Sequence, residues 1–205
     1  MASNVARPRR TQEERKAESE RRILRAATEL FAEQGYLGTT LNEVGARAGY
    51  TGALVSHRYG SKARLLSAVL VHISAGFEAR AAELFDPEDV RGSFARYARL
   101  YVEGVARNPS IRALYVVMGE ALGGLDEAQD DVAALNRRTR AGIVHMLEAG
   151  IGSGELPEEM DARATAVLIL ALLRGTTLQF LAEPRLRSAR QLAMQVAAAL
   201  DRLLR

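Results

Sequence analysis

The segment spanning residues 39–62, TTLNEVGARAGYTGALVSHRYGSK, interrupts a helix-forming run with glycines at two closely spaced points. Gly49 and Gly60 each follow a stretch too short to be an ordinary packed helix. A glycine directly after a helix is a common helix terminator. The segment therefore predicts two short helices that a tight turn sets at an angle to each other.

Hydroxyl side chains mark where these helices begin. Thr39 or Thr40 can cap the first helix, which runs through Ala48, and Thr51 can cap the second, over 52–59. Two short helices joined by a glycine turn and preceded by a longer helix are typical of a helix-turn-helix unit.

Gly45 lies in the middle of the first short helix, where glycine costs roughly 1 kcal/mol relative to alanine. This penalty predicts that another backbone passes close to Gly45, although a neutral substitution would also explain it.

The rest of the chain predicts an all-α protein of about nine helices. Hydrophobic residues make up 48% of its 205 residues, enough for a sizeable core, and no long β-branched alternation appears. Apolar residues recur at helical spacing, for example Ile23, Ala27, Leu30 and Phe31. The predicted helices span residues 13–34, 40–48, 52–59, 61–84, 88–107, 109–122, 125–149, 161–182 and 188–203, with a loop over 150–161.

Charge is distributed unevenly along the chain. Residues 1–62 contain 11 Lys and Arg against 7 Asp and Glu, whereas the remaining 143 contain 17 against 18. Arg7, Arg9 and Arg10 predict a flexible basic arm over residues 1–18. Such asymmetry favours nucleic acid as the partner of the N-terminal part, the alternative being a solvated basic tail.

Several classes of protein are disfavoured. There is no cysteine, which excludes disulfides and thiol chemistry, and the basic N-terminus does not continue into an apolar signal sequence. The most apolar stretch, 164–173, ends at Arg174 and is too short to span a bilayer. We therefore expect a soluble, cytoplasmic protein without a membrane partner.

Catalysis is not expected either. His57, His72 and His145 are far apart and lack metal-ligand spacing, and no nucleophile elbow or phosphate loop is present. The sequence predicts no enzyme, no metal and no cofactor.

A short helix that projects from the body can enter the major groove of DNA, and this would explain the angled pair. The following lysine would add a cation beside a phosphate. The alternative is a compact corner of an all-α protein in which Gly49 and Gly60 only terminate helices.

Residues 19–62 resemble the DNA-binding domain of the TetR family of bacterial regulators. The matching motifs are AATELFAEQGY at 26–36, TTLNEV at 39–44, ARAG at 46–49, and SK at 61–62 followed by Leu65. The resemblance implies a DNA-binding domain over 19–65 and a ligand-binding and dimerisation domain over 66–205.

The second short helix departs from the family pattern, Val-Ser-x-Gly-x-Leu-Tyr-x-His-Phe. Here the run is YTGALVSHRY, so Ala53 replaces glycine, Ser56 a tyrosine, Arg58 a histidine and Tyr59 a phenylalanine. These changes bear on which operator is bound rather than on the fold.

The resemblance implies a role for each matching residue. Thr40 and Lys62 contact phosphates, and Arg58 and Tyr59 flank the DNA backbone. Thr51, which caps the recognition helix, also belongs to the predicted DNA-binding residues. The residues turned toward the bases are Asn42, Gly52, Ala53, Ser56 and His57.

In the family, the last two helices pair across a two-fold axis into a homodimer that binds a palindromic operator. The stretch 164–181 is apolar on nearly all sides, more than one monomer core needs, although a fully buried core helix would show the same pattern. The last helix adds a stripe for the same interface, namely Leu192, Val196, Ala199, Leu200 and Leu203.

The resemblance also implies a small-molecule inducer and, most simply, a repressor. A DNA-binding protein that senses no ligand, or an activator, remains the alternative. The sequence selects no chemical class of inducer. The candidate pocket residues are Phe77, Tyr97, Tyr101, Tyr115, Met118, Asn136, Arg140 and His145.

Overall fold

A computed structural model describes residues 11–183, 185 and 187–205. Within these residues the chain forms nine α-helices and no strand, which confirms the all-α prediction. The helices are α1 Gln12–Gln34, α2 Leu41–Ala48, α3 Gly52–Tyr59, α4 Lys62–Leu84, α5 Val90–Arg107, α6 Pro109–Leu122, α7 Asp126–Gly152, α8 Ala162–Ala182 and α9 Ala189–Leu203.

The helix α1 begins at Gln12, one residue earlier than predicted. The Thr11 hydroxyl accepts a hydrogen bond from the Glu14 N–H, and the Glu14 carboxylate accepts one from the Thr11 N–H. This capping box satisfies donors that a helix start leaves free. Residues 12–18 are therefore helical, and the prediction of a flexible arm over 1–18 is wrong for them. Arg7, Arg9 and Arg10 lie outside the described residues.

Side-chain caps also set most other helix starts. Thr40, Thr51, Ser61 and Ser188 cap α2, α3, α4 and α9. Because capping depends on a few neighbouring residues, these starts agree with the predictions to within a residue or two.

Two boundaries differ because of neighbouring residues. Asp89 caps α5 by accepting from the Gly92 N–H, so this helix begins at Val90 and not at residue 88. The helix α7 continues to Gly152, into the predicted loop. Gly150 is buried there, and a Cβ at this position would lie 2.7 Å from Leu156 Cδ1. The absence of a side chain at Gly150 allows Leu156 to pack on the end of α7.

The buried apolar residues form two clusters. One joins α1–α3 to the first half of α4 and to α6 and the start of α7. The other joins α5, α7, α8 and α9. The predicted boundary after residue 65 falls inside α4, whose Val69 and Leu70 belong to the first cluster. A single long helix thus connects the N-terminal helices to the rest of the fold.

Two helices, α4 and α8, are long and apolar enough to cross a membrane, with mean hydropathies of 1.3 and 1.6 over their most apolar windows. The expectation of no membrane span considered residues 164–173 alone, whereas the helix α8 extends this apolar stretch to 21 residues. Core helices of soluble proteins pass the same test, so it is weak support for a membrane span.

The structure separates the faces of α8 and α9. On α9, Leu192, Val196 and Leu200 are buried against α5 and α8, so the predicted dimer stripe is largely internal core. On α8, Val167, Leu168 and Leu178 are 52%, 55% and 58% exposed. The excess apolar surface that the sequence predicted is therefore real, and it lies on α8.

Candidate nucleic-acid interface and internal cavity

The helices α2 and α3 cross with their backbones in close contact. A Cβ at Gly45 would lie 2.6 Å from both the Gly52 N and the Thr51 carbonyl carbon, closer than real Cβ atoms approach other atoms. Gly45 is buried. The prediction of a close backbone at Gly45 is confirmed, and this contact fixes the angle at which α3 leaves the body.

The outer face of α3 carries small and polar residues. Ala53, Ser56 and His57 are exposed. Ser56 and His57 follow Ala53 by three and four residues, so all three lie on one side of the helix. Within the described chain, the side chains of Ser56 and His57 make no hydrogen bond or ion pair. They are therefore available to an outside partner.

Gly52 and Asn42, which the resemblance also places toward the bases, lie next to each other where α2 and α3 cross. A Cβ at Gly52 would lie 2.8 Å from the Asn42 Cα and would overlap the Asn42 side-chain oxygen. A side chain at position 52 would therefore point to α2, and glycine allows α2 and α3 to pack closely here. The placement of Gly52 toward the bases stays a prediction. Asn42 is exposed at the start of α2.

Arg58 and Tyr59 turn back toward the body. The Arg58 Nη1 donates to the Lys16 carbonyl oxygen of α1 at 3.0 Å. The Tyr59 ring packs against the N-terminal cluster, and its hydroxyl is buried with no partner among the described residues. Burial of the ring also raises the pKa of Tyr59. Both side chains hold α3 in place, and their predicted contact with DNA has no support in this geometry.

Thr40 forms the N-terminus of α2 as predicted. Its side chain accepts from the Glu43 N–H, and the Glu43 carboxylate accepts from the Thr40 N–H at 2.7 Å and from its hydroxyl at 2.8 Å. These hydrogen bonds lower the pKa of Glu43. Both Thr40 and Thr51 are exposed at helix starts, where free N–H groups favour an anion.

The Lys62 ammonium does not extend freely into solvent. It lies 4.3 Å from the centroid of the Tyr36 ring and donates to the Leu37 carbonyl oxygen at 3.3 Å. Burial lowers its pKa, and nearby carboxylates, first among them Glu120, act in the opposite direction. Its contact with a phosphate stays a prediction.

An acidic clamp, Glu120 of α6 with Glu127 of α7, joins the N-terminal helices to the rest of the chain. The Glu120 carboxylate accepts from the Tyr36 N–H at 2.9 Å and from the Leu37 N–H at 3.0 Å. The Tyr36 hydroxyl donates to Glu127 at 2.5 Å, and its pKa is raised by burial and by this carboxylate. A movement of α6 or α7 would therefore act on the loop beside Lys62.

Sequence reasoning missed a cation at the turn between α2 and α3. The Arg22 guanidinium of α1 lies 5.1 Å from the Tyr50 ring centroid and beside Gly49. No local pattern could reveal this contact, because α1 and the turn meet only in the folded chain.

A cavity of about 770 Å³ lies between α4, α5, α6, α7 and α8. This volume is in the range of small-molecule sites. Phe77 and Tyr101 line it, and their rings meet edge to face with centroids 5.3 Å apart. The lining also includes Arg174 of α8.

The remaining predicted pocket residues divide into two groups. Three of them contact lining residues without being part of the lining. Tyr97 packs on Phe77. The Tyr115 hydroxyl donates to the backbone carbonyl oxygen of Arg174, and the Asn136 side-chain oxygen accepts from the Arg174 guanidinium. The other three do not contact the lining in this way. Met118 packs against the N-terminal cluster. Arg140 lies outside the lining, and His145 is exposed beside Phe85.

Arg174 was noted in the sequence only as the charge that ends an apolar run. A charged residue inside an otherwise apolar helix is itself a signal, because burial of a charge is unfavourable without partners. The structure shows those partners. The Arg174 Nε donates to the Tyr101 hydroxyl at 3.2 Å, and its Nη1 donates to the Asn136 side-chain oxygen.

Comparisons with known proteins agree with this geometry. Residues 23–69 match the family described as bacterial regulatory proteins, tetR family. The HTH-type transcriptional regulator TtgR of Pseudomonas putida is 28% identical over 185 residues, which covers 86% of each chain.

Solved structures share the fold. A protein from Rhodococcus sp. superposes with a TM-score of 0.82 at 21% identity, over 92% of this chain and 100% of the other. SmeT, the repressor of the Stenotrophomonas maltophilia multidrug efflux pump SmeDEF, has a TM-score of 0.69 at 25% identity, over 91% and 90%.

The family match covers α2, α3 and the adjoining parts of α1 and α4, and the relatives that extend over most of the chain are named as transcriptional regulators. Residues 23–69 therefore match the TetR family of bacterial regulatory proteins, with α2 and α3 as the helix-turn-helix, and the matches together support a DNA-binding transcriptional regulator of this family.

Proposed function

We propose that this regulator is a cytoplasmic repressor that binds a palindromic operator as a homodimer and leaves it when a small-molecule inducer binds. Residues 19–65 would form the DNA-binding head, and residues 66–205 the ligand-binding and dimerisation part. SmeT supports the direction of regulation, since it is a repressor.

The observation that carries the proposal is the outer face of α3. Ser56 and His57 are exposed without a partner in the described chain, and Ala53 adds a methyl group beside them. Hydroxyl and imidazole groups can bond to base edges, and a small apolar residue can contact a thymine methyl. The exposed starts of α2 and α3 at Thr40 and Thr51 would receive phosphates.

The exposed apolar stripe of α8 supports the homodimer. Leu168 and Leu178 lie on its solvent-facing side, and α9 adds exposed Met194 at 56%. Burying this surface against a second copy would give an isologous interface. Dimerisation would place two α3 helices roughly 34–36 Å apart, one turn of DNA.

The cavity and the acidic clamp support control by a ligand. The cavity lies beside the second half of α4, and Lys62 lies at the start of the same helix. The helices α6 and α7 line the cavity and also carry Glu120 and Glu127. A ligand that favours another arrangement of these helices would change the position of α3.

Selection of binding sites from random DNA duplexes tests the DNA-binding part. We expect an inverted repeat whose half-site centres are one helical turn apart. His57→Ala should change the preferred sequence, whereas Lys62→Ala should weaken binding to all sequences equally and reduce its salt dependence. Equal, uniform losses in both variants would contradict these roles.

The dimer is tested by charge insertion in the stripe. Leu168→Glu should give monomers in sedimentation velocity and lower operator affinity, because two linked heads bind more tightly than one. Leu122→Glu is the control, since this leucine is 89% exposed on α6, away from the stripe. Persistence of the dimer in Leu168→Glu would refute the interface.

Two alternatives predict different results. A protein that senses no ligand would bind its operator equally in the presence of every cavity-binding molecule. An activator would raise transcription from a reporter that carries the selected operator, whereas a repressor lowers it.

A further inference from the structure

The ligand cavity holds a positive charge that the chain does not neutralise. Arg174 is partly buried and lines the cavity. Its two recorded hydrogen-bond partners, Tyr101 and Asn136, are both neutral. No Asp or Glu of the described chain lies within ion-pair distance of it.

The guanidinium also retains free donors. It carries five N–H groups, of which one on Nε and one on Nη1 are used by Tyr101 and Asn136. The others find no acceptor in the described part of the chain. A partly buried charge with unused donors gains stability when a ligand supplies the missing acceptors.

The remaining charges of the cavity are also mostly positive. Six arginines line it against two glutamates. Arg96 is held by Asp89, and Arg138 lies 3.9 Å from Glu78. The other three, which form no ion pair among the described residues, are Arg80, Arg99 and Arg107.

Apolar side chains cover much of the remaining wall. Ile73 and Phe77 come from α4, Ile111 and Leu114 from α6, and Leu135 from α7. A ligand that fills this space therefore needs a hydrocarbon part as well as a group for Arg174.

We infer that the cavity takes an amphipathic organic anion, with a carboxylate paired to Arg174 and a hydrocarbon body against Phe77 and Leu135. A carboxylate matches the fork of a guanidinium and forms two parallel charge-assisted hydrogen bonds. A cationic ligand would be repelled, and a neutral ligand would leave the charge of Arg174 uncompensated. This inference rests on the proposed function, since it names the ligand class of the same cavity.

Three ligands of equal chain length test the charge preference: decanoate, decan-1-ol and decylammonium. Calorimetric titration near neutral pH, without DNA, measures their binding to the full chain. We expect decanoate to bind about tenfold or more tightly than the alcohol, as a charge-assisted pair predicts. Decylammonium should bind most weakly. Equal or tighter binding of the alcohol or of the amine, or no binding of any of the three, would overturn the inference.

Variants locate the carboxylate. Arg174→Met should remove the preference for decanoate over decan-1-ol, and Arg112→Met, an exposed arginine outside the cavity, should leave it unchanged. Arg99→Met should retain most of it. An unchanged preference in Arg174→Met, or its loss in Arg99→Met, would refute the assignment to Arg174. Should Arg174→Met fail to fold, the comparison of the three ligands on the natural chain still decides the ligand class.

Operator binding, followed by fluorescence anisotropy, separates this inference from the proposed function. A neutral or cationic ligand that releases DNA would overturn the anion preference and leave ligand sensing intact. Decanoate that binds through Arg174 without weakening operator affinity would confirm the inference and contradict induced release.

Discussion

The contact between α2 and α3 predicts an unusual response to the substitution Gly45→Ala. Alanine inside a helix normally stabilises by about 0.5–1 kcal/mol relative to glycine. Here the added Cβ would lie 2.6 Å from backbone atoms of Thr51 and Gly52, whereas ordinary contacts begin at 3.4 Å. The two helices would have to separate by about 0.8 Å.

The overlap should outweigh the gain in helix propensity. Overpacking of a well-packed site costs about 1–3 kcal/mol, and the atoms in the way are backbone, which cannot rotate aside. A net loss of about 1–2 kcal/mol should lower the Tm by about 2–8 °C for a chain of this size. Displacement of α3 should also weaken operator binding by about tenfold or more, equivalent to about 1.4 kcal/mol.

Circular dichroism at fixed protein concentration measures the Tm, and fluorescence anisotropy measures operator affinity. Gly142→Ala is the matched control, because Gly142 lies inside α7 and a Cβ there would meet nothing within 4 Å. This control should raise the Tm by about 1–4 °C. A Gly45→Ala protein that is stabilised like the control and binds its operator normally would refute the close contact.

Three further outcomes follow from individual contacts. Glu120→Ala removes the acceptor of two backbone N–H groups, so it should cost about 1–3 kcal/mol and speed hydrogen exchange at Tyr36 and Leu37; unchanged exchange would contradict the clamp. Tyr59→Phe removes a buried hydroxyl that has no partner among the described residues, so the Tm should stay equal or rise and operator affinity should not change. A lower Tm or weaker operator binding would show that the Tyr59 hydroxyl has a hydrogen-bond partner. The hydrogen bonds of the α2 cap lower the pKa of Glu43 from 4.5. The ionised carboxylate therefore contributes fully to stability above pH 4.5, and this contribution is lost as the pH falls through the lower pKa of the folded state. The Tm difference between the natural chain and Glu43→Gln should shrink over this pH range, and a constant difference would contradict the role of the cap.

Local sequence predicted most of the helix boundaries. Thr40, Thr51 and Ser61 cap helices through hydrogen bonds to residues three positions away. Such contacts depend only on neighbours in the chain, so they can be read without knowledge of the fold. The exposed face of α3 was also predicted in part, since Ala53, Ser56 and His57 share one side of a helix.

Other assignments depended on partners far away in sequence. Tyr59 appeared to flank DNA, yet its ring is held in the N-terminal cluster. Leu192 and Val196 appeared to form a dimer stripe, yet α5 and α8 cover them. An amphipathic pattern shows that a helix has an apolar face, but it does not say which neighbour covers that face.

The sequence by itself determined the all-α class and the helix boundaries, and it indicated the helix-turn-helix and the close approach at Gly45, because caps, helical periodicity and a glycine inside a helix act over a few residues. Only the tertiary structure decided that Lys62 lies over Tyr36, that Glu120 holds the loop after α1, and that Arg174 lines a cavity with no carboxylate of the described chain within ion-pair distance of its guanidinium. Each of these contacts joins helices distant in the chain, and packing in three dimensions selects which side chains meet.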